Sequence, residues 1–537
     1  MMKKIRWLSL LLAALMLLPA ASLAAYDVID FAPEDVQFPL PLTDKPVTLS
    51  YWKEMDATKV APVTDTYATL GCFQELEKLT GVKIEWIIPP IGQETEKFNL
   101  MLASEVLPDM VFRGWGGYVG GAQKAIDDGI ILQLNDLVQT SSPNMKHLID
   151  NNEEIRKAIS TDTGALYVYP YLKLNQQVKC VYGFQLRGDW LAELGLEIPD
   201  TIEQWHTVLT AFKEKGTNEN GDAILPLVSR KMSFGESAVR RYADAFGTNY
   251  DFFVLDGKLF YGPYMPEYKA YLETMRQWYA EGLIDVEFPT SDHAIHDAKV
   301  TSGVAGAWCS GLGSGMGKYI TAFNRDDSKV VGAYTPILNE GDARYNSLMD
   351  REFDGSAGAA ISTSCKVPEL AAKWLDFQYS YTGHMLVNWG IEGVSYTLDD
   401  TGFPTATEEI TNNANGLSVD IALSQYSLGA ASSSYYQDPV VRITRMWNFG
   451  TQKDASLKWN EAISTGVPPL TYSDEESNEY TAIITEANTY RDEMFMKFVL
   501  GTQSLDTFDA YLEQLKSIGI ERALEIRQAA LDRYNSR

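Results

Sequence analysis

Apolar and polar positions alternate over residues 47–51 and again over 82–88, and between them 72–80 carries a helical face closed by Gly81. Strand, helix and strand in that order predict an α/β opening, with Pro89 and Pro90 ending the second strand. A helix over 98–103 and a strand over 108–112 follow, and the strand runs into the loop Arg113, Gly114, Trp115, Gly116, Gly117, Tyr118. Further on, Pro199 breaks one helix and Thr201 with Gln204 offers a capping box for the next. In that helix Trp205, Val208, Leu209 and Phe212 recur on one face. The pattern predicts strands over 300–308, 331–336 and 353–361, and a long helix over 475–500 behind the pair Ser473 and Glu476. Near the end, Phe508, Tyr511, Leu512, Leu515 and Ile518 form another apolar stripe.

At 537 residues the chain exceeds what one hydrophobic core organises, so two or more domains are expected. No long Pro/Ser/Gly-rich linker and no internal repeat marks a boundary.

Four segments carry a family likeness, in family order. The first is DWLAELGLEIPDTIEQWHTVLTAF at 189–212, a Trp, then Leu-Gly-Leu, Pro-x-Thr and a Trp-bearing helix. The others are YAEGLIDVEF at 279–288, PELAAKWLDFQYSYTGHMLVNWGIEG at 368–393, and the closing helices of 497–534. Together they resemble the family 1 extracellular solute-binding proteins of carbohydrate ABC importers, of the large alginate-binding-protein-like type. The resemblance implies an α/β, bilobed periplasmic-binding-protein type II fold, two discontinuous lobes joined by a hinge. It implies an N-terminal lobe of 45–170 and 357–445 and a C-terminal lobe of 171–356 and 446–537. The expected partners are an oligosaccharide and the permease subunits of an ABC transporter, the protein itself acting as a monomer.

Sugars stack on aromatic rings while a few polar groups fix their hydroxyls. Aromatics make up 12% of the chain, with 12 Trp and 29 Tyr. The expected ligand-binding set is Trp52, Arg113, Trp115, Tyr171, Arg187, Trp190, Trp308, Trp389 and Glu392. The five Trp in it fall on predicted loops, whereas Trp205, Trp278 and Trp374 sit on helical faces and read as core. A guanidinium can fork two hydroxyls or a uronate carboxylate, which selects Arg113 and Arg187. Asp189, Glu352, Asp354 and Glu392 could accept from hydroxyls, and Tyr396 is a further ring.

No metal and no cofactor is expected. Some relatives hold calcium in a loop after the Trp-bearing helix. Here 216–224 keeps Asn218, Asn220 and Asp222 but has Gly216 and Ile224 where acids should stand, which reads as an Asn-Gly turn. The Gly-rich 311–318 has Leu312 and Tyr319 where a phosphate loop needs Gly and Ser or Thr. Ser314 and Ser356 each lack one Gly of a nucleophile elbow, and His293 and His296 read as an exposed turn. A secreted glycan-active enzyme and a peptide- or amino-sugar-binding receptor of the same fold remain the alternatives.

Composition narrows the partners. A formal charge of −27 argues against nucleic acid and anionic membrane. Four scattered Cys form no disulfide framework or CxxC pair, though one disulfide would be compatible. Lys3, Lys4 and Arg6, an apolar 7–18 and the small residues around Ala24 build a signal peptide over 1–24, so export is expected. Ala25 stands where a lipidated Cys would, and no later stretch is long and apolar enough to span a bilayer.

Overall fold

The computed structural model describes residues 29–537 apart from 174–177, 232–234, 350–356, 401 and 429–430. The expected leader 1–24, Glu352, Asp354 and Ser356 lie outside the described residues.

Two sheets organise the molecule. The first has the order Val82–Ile87, Val47–Trp52, Met110–Gly114, Ala357–Ile361, Tyr169–Pro170. Its first three strands are parallel, with Trp52 opposite both Ile87 and Val111. Ala357–Ile361 returns antiparallel, setting Ala357 against Gly114 and Gly358 against both Arg113 and Pro170. The second sheet has the order Val330–Gly332, Tyr182–Arg187, Ala305–Gly311, Leu225–Leu227.

Each sheet carries its own core. Leu49, Tyr51, Met110, Val111 and Ala359 join Trp374 of the helix Pro368–Phe377 around the first. Strand alternation divides the second. Phe184, Leu186 and Cys309 face Trp205, Tyr242 and Trp278, while Trp308 faces the opposite way toward Tyr319 and Trp459. The helices Asp474–Val499, Phe508–Ile518 and Ile520–Ser536 close the Phe184 side through Phe495, Leu515 and Leu531.

The chain passes between the sheets after Pro170, before Ala357, and again near 437–450, where Tyr436 and Gln437 pair with Leu172 and Lys173. These crossings fix which end of each sheet faces the other lobe. In the first sheet it is the end holding Trp52, Arg113, Gly114, Ala357 and Pro170. In the second it is the end where Tyr182 pairs with Gly311, about 17 Å from Arg187 at ~3.3 Å per residue.

Local signals in the sequence act where expected. Both capping boxes form, at Thr201 with Gln204 and at Ser473 with Glu476. Trp205, Trp278 and Trp374 are buried, and all four Cys are buried and free. The strand predicted over 300–308 is displaced: a helix His293–Thr301 comes first and the strand is Ala305–Gly311. Asp292 caps that helix by accepting from the Ile295 N–H, which overrides the apolar run. His296 is consequently a buried helix residue and not part of an exposed turn. Among the described residues no helix is long and apolar enough to cross a membrane.

Candidate solute-binding site

Ligand sites of α/β sheets lie beyond the carboxyl ends of parallel strands, which here is the end of the first sheet turned toward the second. The last residues of Val47–Trp52 and Met110–Gly114 deliver Trp52, Lys53, Glu54 and Arg113 to that edge. Phe98, from the helix Glu94–Ala103, lies at the centre of the group. Trp52 meets its ring edge-on at 5.7 Å, Trp115 does so at 6.4 Å, and the Arg113 guanidinium lies over its face at 3.6 Å. Trp52 and Trp115 are buried, the latter donating its indole N–H to the Gly358 carbonyl at 3.3 Å. They hold Phe98 and Arg113 in place from behind.

The charges at this edge are uneven. Burial pulls Arg113 below the ordinary guanidinium range, with Glu54 opposing. Lys53 is buried over the rings of Tyr67 and Phe112 and donates to the Ser432 carbonyl at 2.6 Å. Burial brings its pKa down to about 8, with Asp56 and Glu54 opposing. Burial and the neighbouring Glu94 push the Glu54 carboxyl up.

The facing end of the second sheet carries Tyr182 and the π-helical turn Leu312–Gly317. Glycine is required on one side of the Tyr182 ring, where a Cβ on Gly235 would sit 2.8 Å from Cγ, while a Cβ on Gly311 would sit 2.8 Å from Ser314 Oγ. The turn lies close to Met446 and Asp420, since a Cβ on Gly313 would lie 3.0 Å from Met446 Sδ and 3.4 Å from Asp420 Oδ2. Asp420 is itself paired with buried Arg445 at 2.7 Å.

The structure therefore brings together Trp52, Arg113 and Trp115, with Tyr171 nearby at the first crossing, its ring 5.2 Å from Tyr435. It does not bring the other expected residues to them. Arg187 and Trp190 lie at the far end of the second sheet, where Arg187 pairs with Asp189 at 2.5 Å and stacks on Trp190 at 4.4 Å. Trp190 belongs to the helix Gly188–Leu194 and packs on Phe212, so a Trp expected on a loop is core. Trp308 sits mid-strand, donating to Gln185 Oε1 at 3.0 Å. Trp389 ends the helix Tyr381–Trp389 with its N–H turned inward to Asp438. Glu392 is exposed, and Tyr396, three residues beyond the Gly393 turn, is buried beside Trp389 at 5.9 Å. Phe98, Lys53, Glu54 and Tyr182 were missed. Lys53 and Glu54 carried a signal, lying directly beyond a predicted parallel strand; Phe98 read as helix core and had none.

The loop 216–224 does not fit calcium. Asn218 Oδ1 is turned onto the backbone, accepting from the Asn220 and Asp222 N–H groups at 2.9 Å each. The Asn218 amide reaches the Gly303 carbonyl that Arg187 also contacts, so a guanidinium stands near the place a cation would take. Gly216 and Ile224 supply no carboxylate, and a hard cation asks for six to eight oxygens.

A pair of α/β lobes crossed three times by the chain is the architecture of a solute-binding receptor. The chain belongs to the family described as bacterial extracellular solute-binding protein, whose profile matches residues 50–385. It is 26% identical over 531 residues to the fructooligosaccharide ABC transporter substrate-binding protein FusA of Streptococcus pneumoniae, covering 94% of each chain. It is 27% identical over 375 residues to lipoprotein LipO of Bacillus subtilis, covering 67% of this chain and 70% of that protein. Among solved structures, the alginate-binding protein AlgQ2 crystallised without calcium ion superposes with a TM-score of 0.74 at 24% identity, over 91% of this chain and 99% of that one. The fold is the periplasmic-binding-protein type II fold, and the protein is a solute-binding protein, not an enzyme.

Proposed function

We propose that this protein captures an oligosaccharide between its lobes and delivers it to the permease of an ABC importer. The moving bodies would be 45–170 with 357–445, and 171–356 with 446–537. The observation that carries the reading is the Arg113 guanidinium stacked on Phe98 at the lobe-facing end of the central strand, with Tyr182 on the facing end of the second sheet. A flat guanidinium backed by a ring, opposite an aromatic hydroxyl, suits a ligand with hydroxyls at its edges and C–H faces. FusA, the relative named for fructooligosaccharides, matches along nearly the whole chain and supports the same class. A ligand touching both walls favours the closed state through contacts that the open state lacks, and the permease would recognise that closed shape. The protein would act outside the cytoplasmic membrane, as a monomer, without nucleic acid.

Thermal stability and Trp fluorescence across neutral, acidic and amino oligosaccharides, with amino acids and short peptides as controls, test this. Stabilisation by a sugar class, with the sugar recovered unchanged, is the expected result. Stabilisation by peptides alone would overturn it.

A further inference from the structure

Several buried guanidiniums of this protein pair with a carboxylate within the fold. Arg187 has Asp189 at 2.5 Å, Arg445 has Asp420 at 2.7 Å, and Arg491 has Asp492 at 2.7 Å. Arg113, like Arg241, which donates to the neutral Asn346 Oδ1 at 3.1 Å, has no such partner among the described residues. Its Nε and Nη1 are buried and donate to nothing, and among the described residues no carboxylate lies within ion-pair distance. What holds it is the face of Phe98 at 3.6 Å and, further off, Trp115 at 5.9 Å, which fix the plane of the group. Gly117 runs alongside, where a Cβ would come within 3.4 Å of Nη2.

A second cation stands beside it. The pairing of Trp52 with Val111 sets Lys53 next to Phe112 and Glu54 next to Arg113 at the ends of neighbouring strands. Lys53 is nearly fully buried and is anchored by the Ser432 carbonyl, a neutral acceptor. Of the acids near the pair, Glu54 is exposed to solvent and shares its surroundings with Glu94, and Asp56 opposes the effect of burial on Lys53. In a chain of net charge −27 this edge holds two cations, and the buried Nε and Nη1 of Arg113 lack a hydrogen-bond partner.

A buried charged group without a counter-charge is costly, and a partner that supplies only a neutral oxygen satisfies the donors while leaving the charge. A carboxylate does both, through the fork geometry that guanidinium and carboxylate share. We infer that the solute is an acidic saccharide whose carboxylate is received by Arg113 on the Phe98 platform. This rests on the oligosaccharide reading above and names the charge of the sugar at one subsite.

The test is calorimetric titration with trisaccharides of galacturonate, guluronate and glucuronate, each beside its carboxyl-reduced neutral counterpart. One acidic trisaccharide is expected to bind at least about tenfold more tightly than its reduced form, the span of one charge-assisted contact. Arg113→Gln should abolish that preference, Arg113→Lys should restore part of it, and the melting temperature of Arg113→Gln without ligand should be unchanged or raised, since an unpaired buried charge is removed. A reduced sugar that binds as well as or better than its acidic form overturns the inference and leaves the oligosaccharide reading standing. So does an Arg113→Gln variant that melts lower and loses acidic and neutral sugars equally, the result of a purely structural role. If no sugar binds while short peptides do, both fall together.

Discussion

The indole N–H of Trp389 donates to Asp438 Oδ2 at 2.9 Å, and the same carboxylate oxygen meets His384 Nε2 at 3.0 Å. The other oxygen caps the helix Pro439–Met446 by accepting from the Val440 and Val441 N–H groups at 2.7 and 3.1 Å. Asp438 thus ties the WGIEG segment to the last crossing between the lobes, and Trp389 is a structural residue. Asp438→Ala is expected to cost roughly 2–4 kcal/mol, because it removes a cap and strands two buried donors. Urea unfolding checks this. Trp389→Phe should lose about 1 kcal/mol through the single hydrogen bond, with ligand affinity unchanged; a selective loss of affinity would return Trp389 to the binding surface.

Gly183 lies on the second strand of the C-terminal sheet against the indole of Trp459, whose N–H donates to the Ala333 carbonyl at 2.9 Å. A methyl group there would overlap the ring. Gly183→Ala is expected to destabilise the protein by about 1–3 kcal/mol through overpacking, read from the denaturation midpoint at unchanged slope.

Burial pulls the His296 imidazole from 6.5 to about 4, with Asp297 opposing and Arg230, His293 and Lys318 assisting. A folded-state value below the unfolded one means that the unfolded chain takes up the proton first. The associated stability is complete above about pH 6.5 and is lost as the pH falls from there toward 4. Unfolding free energies at pH 7.5 and 5.0 should differ by roughly 1–2 kcal/mol more in the parent than in His296→Gln. Parallel curves for the two proteins would show that another group carries the acid sensitivity.

Asn218 Oδ1 holds the 216–224 turn by accepting from the Asn220 and Asp222 N–H groups. Millimolar calcium and EDTA are therefore expected to give melting temperatures within about 1 °C of each other, since a specific site would stabilise by mass action. Asn218→Ala should lower stability by about 1–2 kcal/mol with no rescue by calcium. A clear calcium-dependent rise in the parent would reassign the loop.

Asp162, packed with the first lobe, receives Arg533 at 2.8 Å and Arg537 at 2.5 Å, and Thr471 donates to it at 2.8 Å. Nearby, the Gly120 N–H donates to Ser477 Oγ at 3.1 Å. These contacts join the first lobe to the closing helices, which pack on the second. Asp162→Ala is expected to enlarge the radius of gyration of the ligand-free protein and weaken solute binding, by small-angle scattering and titration. An unchanged radius with unchanged affinity would show that the contact lies on the rigid side of the hinge.

What sequence alone determined was local. Caps such as Thr201 with Gln204 act within a few residues, the alternation at 47–51 is a property of one strand, and the glycine and proline stops are steric. These sufficed for the α/β class and, with four segments in order, for the family. Arg113 was a candidate from sequence because a guanidinium beside loop aromatics can fork two hydroxyls or a carboxylate. The tertiary structure decided the rest. Periodicity gives a face but not an end, so nothing along the chain distinguished Tyr182, at the crossing end of its strand, from Arg187, five residues on at the far end. Whether a Trp next to glycine is a platform or a core ring depends on what packs over it. Gln185 over Trp308 and Asp438 over Trp389 come from 123 and 49 residues away. Phe98 became the centre of the site only because Trp52, Trp115 and Arg113 converge on it from separate strands and loops, a meeting that is made by folding.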